Sequence, residues 1–167
     1  VVAPTHFHDN FLGGSASGVT RGGLTAAGRD LITRLEAKRM LVDLAHASPA
    51  LIQDVLAMAK RPVIVSHTGV RGTCDNPRNL SDQELAGIAR TGGVAGIAFF
   101  KTAACGNEFT DIVRAIKHAA KVMGPEHVAL GSDFDGAVLT RTDVTGLPLL
   151  TAALLQAGFP EQQLAGI

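Results

Sequence analysis

Residues Leu41–His67, LVDLAHASPALIQDVLAMAKRPVIVSH, restrict the fold more than any other stretch of the chain. Two apolar runs, LVDLAH and PVIVSH, each end in a histidine. Between them Ser48 and Pro49 supply an N-cap and a first-turn proline. Leu51, Ile52, Val55, Leu56 and Ala59 then recur at helical spacing. The unit reads as strand, helix, strand. A helical crossover joins parallel neighbours, so His46 and His67 fall at the carboxyl ends of adjacent strands. Strands lie about 4.8 Å apart, close enough for two imidazoles to reach one ion. Parallel α/β sheets build their sites at that edge. The competing reading of each histidine is a buried, hydrogen-bonded core residue.

The same alternation runs along the whole chain. VVAPTH reads as the end of a strand, and the Gly- and Ser-rich segment FHDNFLGGSASGVTRGG as a long loop of the kind that often carries function. Thr25 caps a helix reaching about Lys38. After His67 comes the polar loop TGVRGTCDNPRN. Ser81 and Glu84 then form a capping box, with Leu80 and Leu85 as its hydrophobic staple. That helix ends near Arg90, before Gly92-Gly93. Val94–Phe100 is a strand, and Phe109, Ile112, Val113, Ile116, Ala120 and Met123 mark the longest helix. Val128–Phe134 is a further strand, Leu147–Ala157 a helix, and EQQLAGI a partial one. The strands are continuous apolar runs, as buried parallel strands are. Five strand–helix units in 167 residues, with no break in composition, indicate one α/β domain over residues 1–167. Five units do not close an eight-stranded barrel. The chain is an open doubly wound sheet, or the larger part of a barrel whose first strands are missing.

Composition excludes several functions. Fifteen basic residues balance fifteen acidic ones with no Lys/Arg run, so neither nucleic acid nor an anionic membrane surface has electrostatic support. No apolar run is long enough to span a membrane. Cys74 and Cys105 form neither a disulfide framework nor a metal spacing, so reduced thiols in a cytoplasmic protein are the default expectation, with a bridge between the two as the alternative. The chain opens at Val1 inside an apolar run, without a signal sequence, as though cut from something longer.

Four strand ends carry polar groups: His6, His46, His67 and Asp133. Parity agrees: His46 shares a face with Val42 and Leu44, His67 with Val63 and Val65, and Asp133 with Ala129 and Gly131. Neutral imidazoles and a carboxylate suit a divalent metal such as zinc, and an open coordination position lets it activate water. Asp133 could instead move protons beside the metal, or serve as a helix cap or loop-organising residue. His8 competes with His6. Arg78, in the loop after His67, has the fork geometry to hold a substrate carboxylate, against the alternative of a solvated surface side chain. Asp43 lies mid-strand, where a buried carboxylate needs partners that the sequence does not name. His118 and His127 read as structural or exposed.

The segments APTHFHDN, LVDLAHAS, RPVIVSHTGVRGTCDNPRNLSD, GGVAGIAFF and HVALGSDFDGA, in this order, resemble the membrane (renal) dipeptidase family of binuclear zinc peptidases, most closely its bacterial members. The resemblance implies an amidohydrolase-like (β/α)₈ barrel of TIM type, of which this chain is the C-terminal part. It implies that His46 and His67 bind metal and that His6 contacts substrate and polarises the scissile carbonyl. Arg78 would hold the carboxylate of a dipeptide, often one with a D-residue at that end, and Asp133 would handle protons around a metal-bound hydroxide. The family's His-x-Asp pair and bridging glutamate lie upstream of the matched region, and Phe100 stands where some members have tyrosine. Two zinc ions are expected in the family. These residues alone should hold at most one, weakly, and show no dipeptidase activity. An open barrel exposes strand edges, so the missing N-terminal segment or a second copy is the expected partner. The rivals are a non-catalytic barrel fragment or scaffold, and an amidohydrolase acting on another small amide or ester.

Overall fold

Val2 and Val42 run side by side, and the rest of the sheet is added to that pair in chain order. In the computed structural model, which describes residues 1–167, Val2 N–H donates to the Leu41 carbonyl at 3.0 Å and Asp43 N–H to the Val2 carbonyl at 2.9 Å. Ile64 N–H donates to Val42 at 2.9 Å, and Leu44 N–H to Ile64 at 2.8 Å. The strand β1 (Ile64–Thr68) then pairs in parallel with β2 (Val94–Ile97), and β2 with β3 (Val128–Leu130). All five expected extended segments are present, parallel and in sequence order. The first two are isolated bridges rather than strands. Pro4 has no N–H to donate, and the chain turns away after Leu44, so neither segment can lengthen its ladder.

Two strands also end before their apolar runs do. Past Ile97 the carbonyl of Phe100 accepts from Ala103 and Ala104 and starts the short helix α4 (Lys101–Ala104), which carries no helical period in the sequence. Past Leu130, Gly131 still donates to Ile97 at 2.9 Å, and then Asp133 takes a left-handed backbone with φ of 63° that stops the strand.

The longer helices stand where the periodicity places them: α1 (Ala26–Ala37), α2 (Pro49–Met58), α3 (Asp82–Arg90), α5 (Phe109–Met123) and α6 (Leu147–Gln156), followed by the one-turn α7 (Glu161–Leu164). Their apolar stripes meet the sheet in one core, in which Ile32, Leu51, Leu85, Ile88, Ile112 and Ile116 are fully buried. Gly124, with φ of 89°, closes α5 in a conformation that a side chain would strain. No helix is long and apolar enough to cross a membrane.

The start of α3 shows how strongly short-range chemistry is specified. Ser81 N–H donates to Glu84 Oε2 at 2.7 Å, and Glu84 N–H returns to Ser81 Oγ at 3.3 Å. Glu84 is only 4% exposed, so its carboxylate relies on this box. Ser81→Ala is expected to lower unfolding stability by about 1–2 kcal/mol, measured by denaturant titration.

Cys74 and Cys105 are joined in a disulfide, with Cα atoms 5.3 Å apart, and not held as the reduced thiols expected above. The loops after β1 and β2 bring together residues separated by 31 positions, a proximity that spacing along the chain does not announce. The bridge also removes the support that free thiols gave a cytoplasmic location.

Candidate active site

The carboxyl edge of the sheet is assembled by local turns. Ser48 Oγ accepts from Leu51 N–H at 3.0 Å, so the N-cap of α2 falls two residues after His46 and leaves the chain little slack. His46 itself has a left-handed backbone with φ of 65°, uncommon for a residue other than glycine. The long loop that follows His6 folds over this turn. Ala16 N–H donates to the His46 carbonyl at 2.8 Å, and Ser48 Oγ donates to Gly22 at 2.7 Å. Asp9 holds the loop closed by accepting from Ser15 N–H at 2.8 Å and Thr20 N–H at 2.7 Å, and those bonds lower its carboxyl pKa. Ser15 Oγ in turn donates to the His6 carbonyl.

These turns aim two imidazoles at each other. His46 Nε2 and His67 Nε2 are 2.9 Å apart, with ring centroids separated by 4.9 Å. Ser66 Oγ lies 2.9 Å from His67 Nδ1 and fixes that ring, leaving Nε2 toward the cavity. His46 Nδ1 is buried without a hydrogen-bond partner. The His6 ring lies 4.4 Å from that of His46, centroid to centroid. Arg78 reaches over the pair and donates from Nη2 to the His67 carbonyl at 3.0 Å.

Burial and nearby positive charge favour the uncharged form of both rings. Burial pushes the His46 pKa down to about 3, helped by the positive charge of Arg78 and the neighbouring rings of His67 and His6. Burial and Arg78 likewise lower the His67 pKa, while Asp133 and Asp43 oppose them. Burial lowers the Arg78 guanidinium to about 10 against the pull of Asp133 and Asp43, so it stays charged at neutral pH.

His6, His46, His67, Arg78 and Asp133 all line one cavity of about 530 Å³. The four strand-end groups and Arg78 are therefore brought together. His8 is exposed and does not line the cavity. His118 pairs with Asp82 at 2.6 Å and His127 bonds the Gly93 carbonyl at 2.8 Å, so both are structural. Phe7, Thr102, Asp135 and Val138 also line the cavity and had no signal of their own in the sequence, beyond the adjacency of Phe7 to His6. Phe7 and Phe100 give the cavity apolar walls beside its charged groups.

Two loops form the Arg78 side of the cavity, and they are laced together. Asn79, 2% exposed, accepts from Gly69 N–H at 3.1 Å and donates to the carbonyls of Cys74 at 2.7 Å and Ala103 at 2.9 Å. Asn76 donates to the Thr102 carbonyl at 2.8 Å and accepts from Arg78 N–H at 2.9 Å. The disulfide closes the same seam.

The donor set fits a metal in part. Two imidazoles converge on one point through their Nε2 atoms, a donor pair that suits zinc. No group of three or more His, Cys, Asp or Glu side chains is gathered for an ion.

The sequence profile of the family described as membrane dipeptidase, peptidase family M19, matches residues 1–167. The chain belongs to that family. Among curated relatives it is 39% identical over 154 residues to an uncharacterised protein in the pqqA 5′ region of Klebsiella pneumoniae, covering 83% of this chain and 55% of that protein. It is 36% identical to the dipeptidase verJ of Clonostachys rogersoniana, covering 96% of this chain and 43% of that one. A metallopeptidase from Rhodobacter sphaeroides, solved with a phosphinate mimic of the dipeptide L-Ala-D-Ala, superposes with a TM-score of 0.83 at 30% identity, covering 92% of this chain and 46% of that structure. This M19 chain thus spans about half the length of the relatives it matches. Its parallel α/β units correspond to part of their fold.

Proposed function

We propose that the protein carrying this chain is a zinc dipeptidase whose reacting centre lies at the His46–His67 pair. The observation that carries this reading is the convergence of two uncharged imidazoles, one guanidinium and one carboxylate on a single cavity. The dipeptide mimic held by the Rhodobacter sphaeroides relative supports the substrate class.

His46 and His67 would hold zinc through nitrogens that burial keeps unprotonated. Bound zinc supplies Lewis-acid polarisation of a carbonyl and a water acidic enough to attack it. This chain's residues do the rest of their share by position. Arg78 holds the free carboxylate of the dipeptide through its fork of donors. His6, set edge-on beside His46, donates to the scissile carbonyl oxygen as charge develops there. Asp133 takes and returns the proton that moves to the leaving amine. Phe7 and Phe100 exclude water from the substrate's side chains. The remaining metal ligands come from outside these residues, and the segment that brings them, or a second copy, covers the open edges of the sheet.

The test is turnover by the full-length protein with added zinc. Dipeptides with a free carboxyl group, including L-Ala-D-Ala, are expected to be cleaved, and their carboxyl-amidated counterparts about 10- to 100-fold less efficiently. Hydrolysis of small cyclic amides or esters with no dipeptide turnover would overturn the assignment. A second expectation concerns residues 1–167 alone. Structural and catalytic zinc sites use at least three protein ligands, and two imidazoles are gathered here. The isolated chain should retain at most one zinc ion after dialysis, measured by elemental analysis, and show no dipeptide turnover.

A further inference from the structure

Asp43 is buried, 7% exposed, and no step above uses it. A carboxylate in that position needs compensation, and its partners are specific. One oxygen, Oδ1, accepts from Ala45 N–H at 3.0 Å and from Ser66 N–H at 2.9 Å. Ala45 immediately precedes His46, and Ser66 immediately precedes His67. A single atom therefore ties the two backbones together at the residue before each imidazole.

The ladder shows why a side chain is needed there. Ile64 N–H bonds to Val42 and Leu44 N–H to Ile64, the regular alternation of a parallel pair. The next bond in that series would run from Ser66 N–H to the Leu44 carbonyl. That carbonyl has turned away and accepts from Ala47 N–H at 3.1 Å, because the chain is entering the left-handed turn at His46. Without a substitute acceptor, Ser66 N–H would lose its bond as the price of the turn. Asp43 Oδ1 replaces the missing carbonyl.

We propose that Asp43 is a positioning residue for the metal pair, splicing the broken ladder so that His46 and His67 converge, and placing a buried negative charge beside the cation. The inference rests on the reading of His46 and His67 as zinc ligands. Asparagine could accept both N–H bonds, so splicing needs only an oxygen. The charge answers a different need, because Arg78 and a dication gather next to two neutral rings. Asp43 acts on both Arg78 and His67 through that charge. The two contributions separate by substitution.

The experiment measures zinc affinity of the full-length protein by chelator competition, with turnover recorded alongside. Asp43→Asn keeps the acceptor and removes the charge. It is expected to unfold at a temperature close to that of the parent and to bind zinc about 10- to 100-fold more weakly, the range found when groups that orient metal ligands are removed. Asp43→Ala loses both contributions and should bind more weakly still. His46→Ala is the control for the underlying reading. Unchanged zinc affinity in His46→Ala would remove the metal pair itself and the inference with it. Loss of zinc in His46→Ala, with parental affinity in Asp43→Asn and Asp43→Ala, would overturn the role of Asp43 alone. If Asp43→Ala does not fold, Asp43→Asn still decides, since parental affinity in it refutes the charge.

Discussion

Replacing His67 with alanine in the full-length protein is expected to remove zinc and dipeptide turnover together. His67 Nε2 faces His46 Nε2 at 2.9 Å, and its other nitrogen is fixed by Ser66 Oγ at 2.9 Å. No third His, Cys, Asp or Glu side chain is gathered with the pair as a ready ligand, so the loss has no preformed replacement. Removing one preorganised donor to a developing oxyanion already costs about 10²- to 10³-fold in rate. Loss of a ligand to the ion that polarises the carbonyl should cost at least the upper end of that range, about 10³-fold. The ring is only partly buried and Ser66 lies at the surface, so the variant should fold. Elemental analysis after dialysis and a turnover assay on the same sample provide the check. A His67→Ala protein that keeps its zinc and its rate would place the reacting centre elsewhere.

Arg78→Ala should act on substrate rather than metal. Its guanidinium stays charged in a buried setting, with a pKa of about 10, because Asp133 and Asp43 partly offset the cost of burial. A charge-assisted pair of this kind contributes about 1.5–3 kcal/mol, which corresponds to roughly 10- to 150-fold. The expectation is a KM for dipeptides raised about 10- to 100-fold with a smaller change in kcat, the pattern of a group that binds ground state and transition state alike. Arg78→Lys should recover only part of the loss, since an ammonium cannot reproduce the fork. Carboxyl-amidated dipeptides, lacking the partner, should respond little to either substitution. An unchanged KM in Arg78→Ala would end the assignment of a carboxylate clamp.

Much of this site was legible because parallel α/β folds translate sequence order into spatial order. Once LVDLAH and PVIVSH are strands joined by a helix, His46 and His67 must meet at one edge, and they do. The capping box at Ser81 and Glu84 was equally readable, since its four residues carry all of its chemistry. What escaped depends on register and on turns. The left-handed backbones at His46 and Asp133 occupy residues with no glycine to announce them. The partners of Asp43 lie on a neighbouring segment and appear only when the ladder breaks. Cys74 and Cys105 sit in two loops whose approach is set by the strands beneath them. Thr102 enters the cavity from the one-turn α4 and Val138 from a loop, and neither segment has a hydrophobic period.

The lacing of the loops after β1 and β2 bears on how such a protein can change its diet over evolutionary time. Arg78 belongs to one loop, and Phe100 and Thr102 to the other, yet Asn76, Asn79 and the disulfide make them one rigid piece. A mutation that lengthens or tilts either loop shifts both the carboxylate grip and the apolar wall. New substrate preferences are therefore more accessible through the loop bearing Phe7, which stands outside the lacing, than through the segment bearing Val138, which packs on Phe100 and Ala103. Transplanting either laced loop alone into a relative should carry an unmatched half of the seam and fail, whereas moving the two together should carry their specificity with them.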